Sequence, residues 1–255
     1  MSRGGIAMRN RVYHSFQEDF VTSRHQDWQL PADYDWQSSG KRWQQRLVRV
    51  TANSLSYLYC HIGRSVTFKN AWRLKAAGDH GFVLYGNHTQ PTGDVLIPYY
   101  LGDHRTFNAL VSPANLGIPV IGSLASRGGA LPTPQTLHQL GRFNRAVMAK
   151  LAADEWVLIY PEEHVWPYYT GVRPFNPAAF HFPVAAQVPA YCLTVTYRKR
   201  WGRRPRLVVY LDGPFFPDAS LPAKQQQRVL QQQIQAQMTK RAATSNVQYV
   251  TYEEG

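Results

Sequence analysis

Short apolar runs alternate with segments of helical periodicity along most of this chain, and this alternation restricts the possible folds more than any other feature. Buried strands of α/β sheets are short apolar runs, whereas helices that pack on a core repeat their apolar residues about every 3.6 positions. The predicted strands cover 81–86, 106–111, 155–160, 189–197 and 206–212. The predicted helices cover 69–77, 93–101, 135–153, 176–187 and 221–244. We therefore predict a single α/β domain in which helices flank a mostly parallel or mixed central sheet.

The first 64 residues have a different character. Residues 1–40 are polar, rich in aromatic side chains and interrupted by turn-forming pairs, which is typical of an arm. Residues 41–62 combine basic side chains with apolar residues at helical spacing, namely Trp43, Leu47, Val50, Leu55, Leu58 and Ile62. Such a basic amphipathic helix either lies in a membrane interface or packs on the core of its own domain, and the sequence leaves both arrangements open. We predict an N-terminal helical arm over 1–64 and the main domain over 65–255.

The chain is strongly basic, with a formal net charge of +12 and a pI of about 9.8. This charge favours an anionic partner, which could be a nucleic acid, an acidic membrane surface or a phosphorylated substrate. The sequence has no motif typical of nucleic-acid binding, so we do not expect a nucleic-acid partner. Cations are most concentrated in residues 198–206, which also contain Trp201. That segment could be a solvated turn, a contact with an acidic bilayer or a contact with an acidic acyl carrier.

Targeting signals and cysteine usage indicate the compartment in which the protein works. The basic N-terminus lacks the apolar stretch of an export signal, so we expect no cleaved signal peptide. Two long uncharged stretches, 106–126 and 174–197, contain prolines that break any continuous spanning helix. Cys60 and Cys192 make no disulfide framework and favour a reducing environment. We expect a peripheral or monotopic protein on the cytoplasmic side of the membrane.

A histidine and an acid follow the first long apolar run. Residues 81–86 lead directly into Asn87-His88, and Asp94 stands where the next helix should begin. The carboxyl ends of strands are where α/β folds place ligands and chemistry. A carboxylate across such a corner can accept the imidazole Nδ1 hydrogen and leave Nε2 free to take a proton. His88 is therefore the candidate catalytic base and Asp94 its orienting acid, although an aspartate here could instead cap the helix.

A second apolar run, 155–160, also ends on acidic residues, in Pro161-Glu162. By itself this is a common transition from a strand to a solvated loop. Together with the first run it resembles the lysophospholipid acyltransferase superfamily, whose best-known members are 1-acyl-sn-glycerol-3-phosphate acyltransferases. Four blocks of that superfamily occur here in order, namely Asn87-His88 with Asp94, 116–122 continuing through 129–132, Tyr160-Pro161-Glu162, and 188–193. The sequence of residues 161–169 is similar to that of a bacterial subgroup of this superfamily.

The sequence departs from the superfamily pattern in its first three blocks. Five residues separate His88 from Asp94 where four are usual, so their pairing requires the loop to absorb one extra residue. The arginines that the superfamily carries in its second and third blocks are absent, and residues 163–165 replace the usual Gly-Thr-Arg. A guanidinium can clamp a phosphate wherever the fold delivers it. The candidate substrate-binding residues are Arg127, Arg142, Arg173, Asn87 and Glu162.

The resemblance implies a glycerol-phosphate acyltransferase-like fold over residues 65–255 and a role in phospholipid biosynthesis. The implied reaction moves a fatty acyl group from a thioester to the hydroxyl of a lysophospholipid or related glycerolipid, with 1-acyl-sn-glycerol-3-phosphate as the expected acceptor. The implied partners are this lysolipid, acyl-CoA or acyl carrier protein as the donor, and an anionic membrane surface, without a metal or further cofactor. The absence of a Gly-x-Ser-x-Gly motif agrees with direct transfer. Two other functions stay open: a non-catalytic basic membrane-binding protein, and a lipid or thioester hydrolase that uses the same histidine.

Overall fold

A computed structural model describes residues 9–21, 27–37, 42–75, 78, 80–101, 106–117, 121–201 and 204–255. Within these ranges the strands are β1 (Arg9–Tyr13), β2 (Thr67–Lys69), β3 (Phe82–Gly86), β4 (Phe107–Val111), β5 (Ala130–Pro132), β6 (Trp156–Ile159), β7 (Ala190–Arg198), β8 (Arg206–Phe215) and β9 (Val250–Glu254). The α-helices are α1 (Arg42–Tyr57), α2 (Trp72–Lys75), α3 (Gly93–Tyr100), α4 (Ile121–Arg127), α5 (Leu137–Ala152), α6 (His181–Ala186) and α7 (Ala223–Ala242). A π-helical turn, Leu58–Gly63, continues α1, and 3-10 turns cover Pro113–Gly117 and Pro177–Phe180.

Seven strands form one mixed sheet in the order β2-β8-β7-β3-β6-β4-β5. The neighbours from β7 to β5 run parallel, whereas β8 is antiparallel to β7 and parallel to β2. The five strands expected from the sequence correspond to β3, β4, β6, β7 and β8, so the predicted α/β class and mixed central sheet are confirmed. The sequence does not predict β2 or β5, because three residues are too few to show a periodicity.

Two of the expected helices are shorter or divided in the structure. Asn70 adopts a left-handed φ of 62° between β2 and α2, so the predicted helix over 69–77 is helical only over 72–75 among its described residues. The predicted helix over 176–187 is divided into the second 3-10 turn and α6. Helix boundaries are set by local backbone conformations that apolar periodicity does not report.

The apolar core lies on both faces of the central strands. Successive side chains of a strand point to opposite faces, so each central strand contributes to two core clusters. Val83 and Val157 belong to the cluster that includes residues of α5 and α7, whereas Leu84 and Leu158 belong to the cluster on the opposite face. All residues of β3 and β6 are buried. Burial on both faces explains why these strands appear in the sequence as unbroken apolar runs.

Helix α1 packs on α3 and α4, but its apolar stripe faces solvent. Ser56 and, in the π-helical turn, Cys60 lie on the packed side and are buried. The six stripe residues are exposed, from 49% at Leu58 to 74% at Ile62. The sequence leaves two arrangements open, and in this structure the stripe does not pack on the core of the domain. None of the helices in the described part of the chain is both long enough and apolar enough to cross a membrane.

The two ends of the chain pair with each other, because β1 and β9 form a separate parallel two-stranded sheet. This sheet packs on Trp166, whose ring centroid lies 4.8 Å from that of Tyr13 and 4.9 Å from that of Tyr252. Farther along the arm, Trp36 is buried and donates its indole N–H to the Pro132 carbonyl over 2.8 Å. These parts of the N-terminal arm therefore lie against the main domain, and the division after residue 64 stays a prediction.

Candidate active site

The candidate site lies where the carboxyl ends of β3 and β6 meet. These strands are parallel neighbours in the middle of the sheet, with Tyr85 opposite Ile159. The chain leaves β3 as the His88 loop, residues 87–92, and leaves β6 as the Glu162 loop, residues 160–175. Because parallel strands end at the same edge of a sheet, the two loops meet although His88 and Glu162 are 74 residues apart in sequence.

His88 and Asp94 are brought together by the first turn of α3. The Nδ1 atom of His88 lies 2.7 Å from Oδ2 of Asp94. The Gln90 N–H donates to the same carboxylate oxygen over 2.9 Å, and the Asp94 N–H donates to the Gln90 carbonyl over 2.8 Å. These reciprocal bonds form a tight turn that accommodates the extra residue between His88 and Asp94.

The His88 ring is also held by the first residue of the Glu162 loop. The rings of His88 and Tyr160 stack with their centroids 4.3 Å apart and their planes 13° from parallel. The Tyr160 hydroxyl donates to the backbone carbonyl of Asp94 over 2.6 Å. Tyr160 therefore connects the imidazole to the start of α3 and restricts the rotation of the ring.

Burial differs sharply between the two members of the pair. The His88 side chain is 20% exposed, whereas the Asp94 side chain is 2% exposed. Burial raises the pKa of the Asp94 carboxyl above its ordinary value, and the hydrogen bond with His88 opposes that rise. A buried carboxylate favours a positive charge on the imidazole beside it. The arrangement can therefore orient the imidazole and stabilise a positive charge on it.

Glu162 holds the backbone of His88 through a hydrogen bond. Its Oε2 atom accepts the His88 N–H over 3.1 Å, and its Oε1 atom accepts the Arg173 N–H over 3.0 Å. The Arg173 guanidinium completes a buried ion pair, with Nη2 at 2.9 Å from Oε2 of Glu162. Burial raises the pKa of the Glu162 carboxyl, whereas the charge of Arg173 lowers it. Glu162 thus links the two loops through main-chain hydrogen bonds.

Arg173 lies inside the protein and has no exposed surface for a phosphate clamp. It is 1% exposed, and its guanidinium also donates to the His164 carbonyl and lies 5.0 Å from the centre of the Trp166 ring. Its Nε and Nη1 atoms have no hydrogen-bond partner among the described residues. Acceptor binding by Arg173 stays a prediction, but in this structure its side chain forms an ion pair with Glu162.

Asn87 joins β3 to β7 through both ends of its side-chain amide. Its Nδ2 donates to the Val195 carbonyl over 3.0 Å, and its Oδ1 accepts the Val195 N–H over 2.8 Å. The residue is 1% exposed. These bonds fix the start of the His88 loop, and a direct contact of Asn87 with substrate stays a prediction.

The other two candidate arginines lie on the helices α4 and α5. Arg142, on α5, donates to the carbonyls of Ala32 and Asp33 over 3.4 and 3.0 Å and so holds the N-terminal arm. Arg127 is the half-buried last residue of α4, a helix that contacts α1. The second sequence block spans the first 3-10 turn, the start of α4 and β5, and its residues 118–120 lie outside the described residues.

Three tyrosines and a glutamine of the site are absent from the sequence-based candidates. Tyr197, near the end of β7, donates its hydroxyl to Oγ1 of Thr89 over 2.8 Å and accepts from Nε2 of Gln90 over 2.9 Å. The Tyr59 hydroxyl approaches Oε1 of Gln90 at 3.4 Å, and Tyr160 stacks on His88. The position of Tyr160 beside Pro161-Glu162 could have indicated from the sequence that it belongs to the site. The apolar residues around Tyr197 give no such indication.

The fold and the site together define an α/β protein with a His–Asp pair at the carboxyl edge of a mixed sheet. No protein-family model matches the chain, and no curated protein matches it in sequence. Among solved structures, it is similar to the crystal structure of the 1-acyl-sn-glycerophosphate (LPA) acyltransferase PlsC from Thermotoga maritima. The match has a TM-score of 0.59 and covers 80% of this chain and 83% of that chain, at 14% sequence identity. A likeness at this identity shows that the two proteins share a fold, and the predicted acyltransferase-like fold is confirmed.

Proposed function

We propose that this protein transfers a fatty acyl group from a thioester to the free hydroxyl of a lysophospholipid or related glycerolipid. The observation that carries the proposal is the His88–Asp94 hydrogen bond at the strand ends of a fold shared with an LPA acyltransferase. 1-Acyl-sn-glycerol-3-phosphate is the expected acceptor. Acyl-CoA or acyl carrier protein is the expected donor, and no further cofactor or metal enters the proposal.

The proposed mechanism uses His88 as a general base. With its Nδ1–H donated to Asp94, the imidazole presents Nε2 to the acceptor hydroxyl and removes its proton as the oxygen attacks the thioester carbonyl. The tetrahedral intermediate collapses by breaking the carbon–sulfur bond, and the leaving thiolate takes the proton from the imidazolium. Asp94 stabilises the imidazolium between these two steps. The acyl group moves directly to the acceptor, so no acyl-enzyme forms.

We further propose that the protein acts on the cytoplasmic side of a membrane, as a peripheral or monotopic protein. The exposed apolar stripe of α1 supports this proposal, because such a stripe can enter the headgroup and acyl boundary of a bilayer. The net charge of +12 favours an anionic surface. A lysolipid acceptor lies in that same boundary, so membrane contact and substrate access would coincide.

Product formation from acyl-CoA and lysophosphatidic acid, followed by mass spectrometry with thiol release measured in parallel, tests the proposal. The wild-type protein should form the diacyl product, and His88→Ala should reduce the rate by about 10²-fold or more. His138→Ala, which removes an exposed histidine of α5, is the matched control and should leave the rate unchanged.

Two outcomes of the same assay would reject acyl transfer to a lipid. Thiol release that needs no lipid acceptor, and that depends on His88, would identify a hydrolase. No His88-dependent thiol release with any lysolipid or donor, while vesicle binding persists, would favour the non-catalytic membrane-binding protein.

A further inference from the structure

The turn that joins β7 to β8 contains a cluster of basic residues and one highly exposed tryptophan. This β7–β8 turn, residues 198–206, contains six basic residues and no acidic residue. Lys199, Arg200, Arg204 and Arg206 are exposed, and Trp201 is 87% exposed. An exposed aromatic side chain next to exposed cations fits a partner that offers both an apolar layer and anionic groups.

The β7–β8 turn lies at the edge of the sheet that carries His88. β7 and β3 are parallel neighbours, so the turn after β7 leaves the sheet at the same edge as the His88 loop. Tyr197, just before the turn, hydrogen-bonds to Thr89 in that loop. The turn is also tied to the end of the α1 region, because Nη2 of Arg64 lies 3.5 Å from the Pro205 carbonyl.

The tie through Arg64 connects the turn to the exposed apolar stripe. Ile62, two residues before Arg64, is the most exposed stripe residue, at 74%. The C-terminal end of the stripe, at Ile62, therefore lies next to the β7–β8 turn. An apolar ridge beside a basic turn with an aromatic tip matches the chemistry of a bilayer surface, which offers anionic headgroups above an acyl layer.

We infer that the β7–β8 turn is a second membrane contact, in which Trp201 enters the interfacial layer of an anionic bilayer and the surrounding cations bind lipid phosphates. The inference rests on the proposed function only for its setting, because lipid binding is measured without turnover. A single helix lying on a bilayer leaves the protein free to roll about the helix axis. A second contact at the His88 edge removes that freedom and turns the site toward the lipid.

Vesicle cosedimentation of the full chain tests this surface. Vesicles contain phosphatidylcholine with or without about 30% phosphatidylglycerol. The double variant Lys199→Glu/Arg200→Glu should lower partitioning onto anionic vesicles by about tenfold or more, and the deficit should shrink at about 0.5 M salt. Trp201→Ala should lower partitioning by roughly threefold or more on both kinds of vesicle.

Two control variants alter matching residues at the opposite edge. Phe216→Ala removes an exposed aromatic residue after β8, which runs antiparallel to β7. Lys224→Glu reverses an exposed charge at the start of α7, a region held beside Gln187 before β7. Both controls should bind like the wild type, as should His88→Ala. The turn variants and both controls should show the wild-type unfolding temperature, because their changed side chains are exposed.

Wild-type binding by both turn variants would overturn the inference, and so would an equal loss in the controls. Normal vesicle binding combined with a selective loss of activity toward acyl carrier protein donors would assign the turn to an acidic protein instead, and would equally overturn it. Failure of the proposed reaction would abolish product formation in every variant, including the controls, while leaving the binding pattern unchanged. The two failures are therefore distinguishable.

Discussion

Removal of Arg173 should destabilise the protein strongly and in a way that depends on pH. The Glu162 and Arg173 side chains are 0% and 1% exposed and lie 2.9 Å apart. Loss of one partner from a buried ion pair costs about 3–5 kcal/mol, because the remaining charge has no compensation. For a chain of this size, that cost corresponds to a decrease of about 6–20 °C in the unfolding temperature. Arg173→Met should therefore unfold well below the wild type at neutral pH.

The double variant Glu162→Gln/Arg173→Met should be more stable than either single variant. It contains neither charge. Its remaining costs are one main-chain N–H that loses its acceptor on the glutamine, about 1–3 kcal/mol, and the His164 carbonyl that loses the Arg173 donor, a loss that Arg173→Met shares. Each single variant should lose about 3–5 kcal/mol of stability. The loss in the double variant should therefore be much smaller than the sum of the two single losses.

The pH dependence gives an independent check. Arg173 lowers the pKa of the Glu162 carboxyl, and burial raises it. Without Arg173 the pKa in the folded state rises further above the unfolded value of about 4.3, so the folded state binds the proton more tightly than the unfolded state does. The stability of Arg173→Met should therefore fall as the pH rises above the unfolded value of about 4.3, and its deficit relative to the wild type should be smallest in acid.

Urea unfolding followed by circular dichroism at several pH values measures these effects. Arg142→Met is the control, because that guanidinium donates to the Ala32 and Asp33 carbonyls near the surface and its loss should cost about 1 kcal/mol. The reasoning is refuted if Arg173→Met costs no more than Arg142→Met, or if the losses of the two single variants add in the double variant.

Three other predictions follow from the site and the surface. Asp94→Asn should keep the fold but lower the transfer rate by about 10²-fold or more through loss of the correct imidazole orientation, and an unchanged rate would mean that Asp94 only begins α3. Gly86→Ala should cost about 1–3 kcal/mol and lower the rate, because a Cβ there would lie 2.3 Å from the Tyr160 ring that stacks on His88, and calorimetry with an activity assay measures both effects. Leu47→Gln/Val50→Gln should lower vesicle binding by at least about tenfold without affecting stability, whereas Asn53→Gln, at an exposed position outside the stripe on the same helix, should not change binding.

The sequence predicts the centre of this fold well, for a physical reason. β3 and β6 are covered on both faces, so they appear as unbroken apolar runs whose ends are easy to locate. The ends of such runs carry His88 and Glu162, and the structure brings these two residues together because β3 and β6 are parallel neighbours. The six-position step to Asp94 is short enough for a local turn to determine its geometry.

Other contacts could not be predicted, because they depend on packing between distant segments. The Glu162–Arg173 pair depends on how the Glu162 loop folds back, and the ten intervening residues allow many paths. Tyr197 resembles any buried strand residue in sequence, although its hydroxyl binds the His88 loop. The periodicity of α1 predicts a stripe, but an amphipathic pattern is the same whether the stripe meets a core or solvent.

The pairing of β1 with β9 has a consequence for the order in which the protein matures. β9 is synthesised after all seven strands of the main sheet, of which β8 is the last in sequence and ends at residue 215. The His88–Asp94 pair can therefore assemble on a nascent chain whose Trp166 still lacks its stacking partner Tyr252. Synthesis of residues 250–254 then allows β1 and β9 to pair and pack on Trp166 of the Glu162 loop. The cover of this loop therefore forms after the pair that it lies beside.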